Sequence, residues 1–267
     1  MDNIALALVM KRLAAWLDGA WQPAGFIRKQ HDGPPFGSCY VSIDRSRQAR
    51  YASANWNRVY LCGAEPGLRP SGLQALIDHF TFAGVTRFFV WLSPGPDMDT
   101  VRAWLAEAGF VPRMQWTRYP TLIRESFDLP PFRTDLVIRE AKASDLAAAG
   151  EAVGDMMWGE YERSFGKDGF THFIAFDGTR PVAVATLAVF DGFGYLTNAA
   201  TAEADRKRGA QSALIAARIA KARDLGCKWL AVETLTMLDQ SLRNLERAGF
   251  RVAYEKEVYE WSANPSA

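Results

Sequence analysis

Three consecutive cations, Arg206, Lys207 and Arg208, stand directly before Gly209 and an alanine-rich run in the stretch "DRKRGAQSALIAAR", Asp205 to Arg218. The macrodipole of a helix already makes its N-terminal end positive, so cations there are unfavourable unless an anion meets them. The first N–H groups of a helix have no intrahelical partner and point outward along the axis. Glycine lets a ligand approach that backbone with no Cβ in the way. Together these features make a cradle for a diphosphate. Two neighbouring motifs are excluded: G-x-x-x-x-G-K-[ST] is absent, and no G-x-G-x-x-G follows a strand. On this stretch alone, a solvated basic turn capping an ordinary helix is the plain alternative.

Two further side chains have the chemistry of a base. Glu233 closes the otherwise apolar strand "WLAVETL", where a carboxylate either serves a site or faces solvent as the strand emerges. His172 stands at the start of a strand, a place where a lone histidine is more often structural.

The elements that must position these groups follow from pattern. Leu136–Arg139 reads as a short strand, and Ser144 as the cap of a helix from Asp145. "FTHFIAFDGTRPVAVATLAVFDGFGYLTNAAT" carries Asp177-Gly178 and Asp191-Gly192 between β-rich runs, the signature of an antiparallel three-strand meander. A helix from Gln211 to Leu225, a strand Trp229–Thr234, a helix to Ala248 and a last strand complete the half. The class is α+β, with a mixed, mostly antiparallel sheet flanked by helices.

The chain has 267 residues, 49% of them hydrophobic, enough for one large domain or two small ones. "LPPFRTD", Leu129 to Asp135, stops both helix and sheet and is the expected linker. The expected domains are residues 1–128 and 136–267. Both end in the same way: "RAWLAEAGF" closes on Gly109 and "RNLERAGF" on Gly249, at an offset of 249 − 109 = 140. "GVTRFFVWL" from Gly84 matches "GCKWLAVETL" from Gly226 at 226 − 84 = 142, and "RPSGLQALI" from Arg69 echoes "RKRGAQSALI" from Arg206 at 206 − 69 = 137. Similar offsets in the same order indicate an internal duplication. Two ordinary α/β domains that both end helix–glycine–strand are the alternative.

The formal charge is +1. Before Pro130 there are 14 basic and 11 acidic residues, and after it 17 and 19, so neither half has the bias of a nucleic-acid or membrane-surface binder. Cys39, Cys62 and Cys227 are too scattered for a disulfide framework or a zinc site. Leu6, Val9, Met10, Leu13, Trp16 and Leu17 fall at helical spacing, marking an amphipathic core helix too short and wrongly flanked for a signal peptide or membrane span. A cytoplasmic protein is expected.

The order of elements after Leu136, with Arg206-x-x-Gly209-Ala210 opening the long helix and "LAVETL" and "SLRNLERAGF" after it, resembles the GCN5-related N-acetyltransferase (GNAT) family. Its cofactor motif is [Q/R]-x-x-G-x-[G/A], and the sixth position here is Gln211. The match spans residues 136–261, and the first half resembles a degenerate second copy. The resemblance implies acetyl-coenzyme A, its pyrophosphate on the amides of Arg206, Lys207, Arg208, Gly209, Ala210, Gln211 and Ser212. Its arm would add to the backbone of Asn198, Ala199, Ala200 and Thr201, between two strands that splay apart, with Ser241 and Asn244 on the next helix as polar contacts. Glu233 is then the expected general base, with no metal, for transfer of the acetyl group to a primary amine of a small molecule or peptide. The family often carries a tyrosine acid where this chain has Leu245; Tyr254 and Tyr259 are weak substitutes. That departure leaves a non-catalytic acyl-coenzyme A-binding module as the alternative, and whether copies associate stays open.

The acceptor would enter near Met156, Met157, Trp158, Tyr161 and Phe165, with Asp155, Glu160 and Glu162 interleaved, although these apolar side chains also suit a core. In the first half, Arg69 and Gly72 keep the spacing, but Pro70 removes a backbone donor, so this copy is expected to bind cofactor poorly or not at all. Its aromatics (Trp56, Tyr60, Phe88, Phe89, Trp91, Trp104 and Trp116) read as core and interdomain contact.

Overall fold

A computed structural model of the chain describes residues 2–21, 27–45, 57–63, 65–113, 119–235 and 238–264. Two compact units emerge, one of Met1–Pro120 with Tyr254–Ala267, the other of Thr121–Ala253. The expected linker at 129–135 lies inside the second unit. The physical reason is that each sheet is completed by a strand from the other half of the sequence.

The first unit begins with helix α1 (Asn3–Trp21), whose buried face includes Leu6, Met10, Leu13 and Leu17. Strands β1 (Ile27–His31), β2 (Cys39–Ile43) and β3 (Arg58–Cys62) run antiparallel in turn. Helix α2 (Pro70–Phe82) then crosses over to β4 (Arg87–Leu92), which lies parallel to β3. Helix α3 (Met98–Glu107) and the two-residue β5 (Val111–Pro112) follow. The strand that closes β4 is the end of β12 (Arg251–Ser262), antiparallel to it from Glu257↔Leu92 to Ser262↔Arg87. The core between α2, α3 and the sheet holds Leu73, Phe80, Phe88, Val90 and Leu105, with Phe80 stacked on Phe88 at 4.0 Å. Tyr60, Phe88, Phe89 and Trp91 are core, as expected, and Trp104 packs against it. Trp56 and Trp116 lie outside the described residues.

The second unit opens at Thr121, within β6 (Tyr119–Arg124), and continues with β7 (Val137–Glu140), then helices α4 (Leu146–Val153) and α5 (Asp155–Ser164). Asp145, rather than Ser144, is the N-cap of α4, and its carboxylate closes the preceding turn, accepting from the Lys142 N–H (2.7 Å) and from Arg139 (2.7 and 2.8 Å). Strands β8 (Phe170–Asp177), β9 (Arg180–Phe190) and β10 (Phe193–Thr201) form the meander. Asp191 and Gly192 both have positive φ, as the tight turn between β9 and β10 requires. Helix α6 (Ala210–Asp224) crosses to β11 (Trp229–Glu233), parallel to β10, and α7 (Asp239–Arg247) follows. Strand β6 lies antiparallel to β11, from Leu230↔Arg124 to Glu233↔Thr121. Leu196, Leu214, Ile219, Leu230, Val232, Leu245 and Phe250 fill the core beneath α6 and α7, and Tyr161, Ile174, Phe176 and Val184 fill a smaller one on the α4 and α5 side.

The units share one plan: an antiparallel meander, a parallel strand–helix–strand crossover, a second helix ending at glycine, and a closing antiparallel strand. Gly109 and Gly249, matched by their sequence, follow α3 and α7 at φ +82 and +81. A Cβ on Gly72 would collide with the Pro35 carbonyl oxygen, and one on Gly209 with that of Arg133. The repeat read from the sequence thus extends to a shared backbone contact at the start of the crossover helix. Among the described residues, no helix is long and apolar enough to cross a membrane.

Candidate functional site

The second unit gathers most of the expected site residues around the gap between β10 and β11. Their parallel ladder runs from Phe193↔Trp229 to Leu196↔Val232 and stops there, while β10 continues to Thr201. On its other side, β10 pairs with β9 as far as Thr197↔Thr186 and resumes at Ala200↔Val184. Asn198 and Ala199 therefore oppose one residue of β9, forming a β-bulge, and Asn198 takes φ +47. The bulge bends β10 away just where its partner ends. The sequence places an asparagine there because its short polar side chain tolerates the left-handed region.

The cradle lies at the end of the same strand. Helix α6 begins at Ala210 behind Gly209 in the left-handed region (φ +82), and its first internal bond is from Ala213 N–H to the Gly209 carbonyl (3.0 Å). The amides of Ala210, Gln211 and Ser212 precede that bond and face outward. Gln211 Nε2 donates to Thr201 Oγ1 at 3.0 Å, tying the helix start to the end of β10, so the long residue at the sixth motif position holds the loop from the side. The free side of Gly209 meets the Arg133 backbone, which corrects the expectation that its missing Cβ serves a ligand.

The three cations divide. Arg206 is 63% exposed with one distant carboxylate, Glu203 at 3.9 Å, and Lys207 is exposed at φ +68. Arg208 is different: it donates to Asp177 (2.8 Å), Asp205 (3.1 Å) and Asp135. Arg180 binds Asp205 through two bonds of 2.8 Å and Asp177 at 3.1 Å. Hydrogen bonds from Arg208 hold the Asp135 and Asp177 carboxyls below their ordinary range, and those from Arg180 do the same for Asp205. Arg208 thus already meets three carboxylates of the chain itself.

Glu233 lies at the mouth of the splay, half-buried. Thr121 Oγ1 donates to its Oε1 at 2.9 Å and Tyr195 OH to its Oε2 at 3.5 Å. Ser241 reaches the same end of β11, accepting from Thr234 Oγ1 at 3.3 Å. The Asn244 side-chain Oδ1 accepts from Gln240 (3.0 Å) and Arg247 (3.5 Å) along the surface of α7. Leu245 is 4% exposed within the core, and Tyr259 belongs to the first unit, where it donates to Glu257 at 2.8 Å. His172 is buried, its Nε2 3.0 Å from Ser164 Oγ and its ring edge-on to Tyr161. Burial pushes its pKa down to about 4. It is a neutral core histidine. Trp158 stacks on Tyr161 and covers Gly150, so these aromatics build core as well. The side chains of Asp155, Met156 and Met157 lie outside the described residues.

Three contributors escaped the sequence. Thr121 and Tyr195 are ordinary strand residues by pattern, and only tertiary pairing brings them to Glu233. Arg218 reads as a surface cation on α6, yet it is 2% exposed, with its guanidinium on the carbonyls of Leu214 (3.1 Å), Thr186 and Thr197 (both 3.4 Å). Desolvation pushes its pKa down to about 9. It braces the carbonyl immediately before the bulge.

In the first unit, the corresponding helix start has fewer free donors. Arg69 N–H bonds to the Pro35 carbonyl (2.8 Å), Gly72 N–H to the Arg69 carbonyl (2.9 Å), and Pro70 has none. The adjoining cleft is lined by Glu65 and Asp97, the wrong charge for a phosphate.

A family model described as the acetyltransferase (GNAT) family matches residues 138–250. Among solved structures, a GCN5-related N-acetyltransferase from Kribbella flavida is similar over 97% of this chain and 95% of its own, at 18% identity and TM-score 0.65. A tandem GNAT protein from the clavulanic acid biosynthesis pathway is similar over 99% and 96%, at 12% identity and TM-score 0.65. Another, from Sphaerobacter thermophilus, covers 99% and 95% at 15% identity and TM-score 0.60. No curated protein sequence gave a significant match. The splayed strands, the bulge and the helix start thus sit in residues 138–250, the stretch that matches the GNAT acetyltransferase family model, within a chain that has the fold of tandem GNAT proteins.

Proposed function

We propose that the second unit transfers an acetyl group from acetyl-coenzyme A to a primary amine of a small molecule or peptide. One observation carries this: β10 runs on for five residues past its last pair with β11, leaving an open strand edge that leads straight to the outward-facing amides of α6. Such an edge accepts an extended, amide-bearing arm as an added strand, and the helix start with Arg206 and Lys207 suits the phosphates at its far end. Acetyl-coenzyme A supplies an acyl group already activated as a thioester. The backbone N–H groups at the Asn198–Ala200 bulge are the donors placed to polarise its carbonyl.

Glu233 removes the proton from the attacking amine, directly or through one water. A lysine-like amine of pKa near 10.4 carries a deprotonation cost of about 4.6 kcal/mol at pH 7, against about 1 for an α-amine near 7.7. Thr121 and Tyr195 fix both carboxylate oxygens, so the base is held in place before substrate arrives. A thiol near 8.5 leaves without a strong acid, which is consistent with Leu245 in the core.

Leu245 also favours a second reading, a non-catalytic acyl-coenzyme A-binding module. Glu233→Gln separates the two. The expected result is acetyl-coenzyme A affinity within twofold of wild type and amine turnover reduced by about 10²–10⁴. Unchanged turnover across a panel of amines removes Glu233 as the base, and no wild-type turnover with retained binding favours the binding module.

A further inference from the structure

The ion cluster behind the cradle assigns Arg208 a role that its place in the motif does not announce. We propose that Arg208 is a positioning residue: it locks the anion-binding loop to three carboxylates of its own unit and leaves the ligand's charge to Arg206 and Lys207. This rests on the cofactor reading above.

Three separate parts of the unit converge on this side chain. Asp135 precedes β7, Asp177 ends β8, and Asp205 lies in the short helical turn before the loop. One terminal nitrogen of Arg208 serves Asp177 and Asp205, the other Asp135. The backbone repeats the attachment, because Thr134 Oγ1 donates to the Arg208 carbonyl at 2.8 Å while Arg133 closes over Gly209. The loop between Asp205 and Ala210 is thus clamped on both sides of its two left-handed residues, Lys207 and Gly209.

Charge decides against a direct ligand role. Two arginines, 180 and 208, face three carboxylates, a net of −1. Turning Arg208 toward a phosphate would leave Arg180 alone with three carboxylates, a net of −2, one of them the buried Asp205. Asp205 would keep its two bonds from Arg180, but Asp135 would lose its bond from Arg208 and Asp177 one of two, and the uncovered charge would repel the same phosphate. The planar fork that meets several carboxylates at once is specific to arginine.

The test uses the full chain. Acetyl-coenzyme A affinity is measured by calorimetry between 0.05 and 0.5 M salt (about a 14 to 4 Å screening range) for wild type, Arg206→Gln, Lys207→Gln, Arg208→Gln and Arg208→Lys. Hydrogen exchange of the amides of residues 205–212 is followed in each free protein. Arg206→Gln and Lys207→Gln are expected to flatten the salt dependence and leave exchange unchanged. Arg208→Gln is expected to weaken binding about tenfold at every salt concentration, with the wild-type salt dependence, and to speed loop exchange; Arg208→Lys lies between. An Arg208→Gln protein with flattened salt dependence and unaltered exchange overturns the proposal. If wild type binds no acetyl-coenzyme A, the cofactor reading falls, and loop exchange alone then decides whether Arg208 holds the loop.

Discussion

His172 offers a quantitative test of the packing around α5 and β8. Its ring is 4% exposed and shares a hydrogen bond with Ser164 Oγ, which also donates to the Glu160 carbonyl at 2.7 Å. Desolvation lowers its pKa from 6.5 to about 4. The unfolded chain therefore takes up a proton below pH 6.5 that the folded unit refuses until about pH 4, so stability falls as pH drops through that window. With these two values, lowering pH from 7.5 to 5.0 costs the second unit about 2 kcal/mol, close to a 30-fold rise in its unfolded fraction. Asp145, held near 2 by hydrogen bonds from Arg139, stays ionised throughout and adds little. Histidines 31 and 79 are also lowered by desolvation, but they lie in the first unit and are common to wild type and variant. Urea unfolding of wild type and His172→Gln at both pH values, with hydrogen exchange of Phe170–Asp177 as the local reporter, isolates the effect. The variant is less stable at pH 7.5 but loses about 2 kcal/mol less on acidification. Equal losses in the two proteins refute the account of a neutral, desolvated imidazole.

Three further outcomes follow from the loops. Gly209→Ala puts a Cβ against the Arg133 carbonyl at φ +82, so the second unit should lose at least the 1–2 kcal/mol of a left-handed non-glycine residue, read as a lowered Tm. Lys207→Gly relaxes a strained residue while removing a charge; Tm should hold or rise while acetyl-coenzyme A binding weakens. Titration calorimetry should give one acetyl-coenzyme A per chain, since at the start of α2 the Arg69 and Gly72 amides are bonded to carbonyls and Pro70 has none, and a second equivalent of similar affinity contradicts this.

Local chemistry was readable along the sequence wherever neighbours in the chain decide the outcome. The Asp191-Gly192 turn, the glycines after α3 and α7, and the crossover helix behind Arg206-x-x-Gly209 all follow from spacing and backbone preference. Partners distant in sequence were not readable. Arg208 reads as a ligand contact along the sequence because nothing nearby says that Asp135 and Asp177, 73 and 31 residues away, will reach it. Arg218 looks like any surface cation of an alanine-rich helix until the bulge above it exposes carbonyls to bind. The paired prolines of 129–135 do interrupt secondary structure there, but breaking an element is a different matter from dividing two cores. The core boundary is set by which strand completes which sheet, and hydrophobic patterning is the same for either choice.

That exchange of closing strands bears on how the protein is made. The first unit has most of its sequence by residue 120, yet the edge of β4, "RFFVWL", stays unpaired until residues 254–262 exist. At about 5–20 residues per second, the intervening 254 − 120 = 134 residues take roughly 7–27 s. For that interval an apolar strand edge stands open on the nascent chain, a template for pairing with other chains. The second unit, with β6 synthesised ahead of β11, has no such wait. Ribosome-bound chains halted before residue 251 should therefore carry a folded second-unit meander beside a first unit that holdase chaperones still recognise.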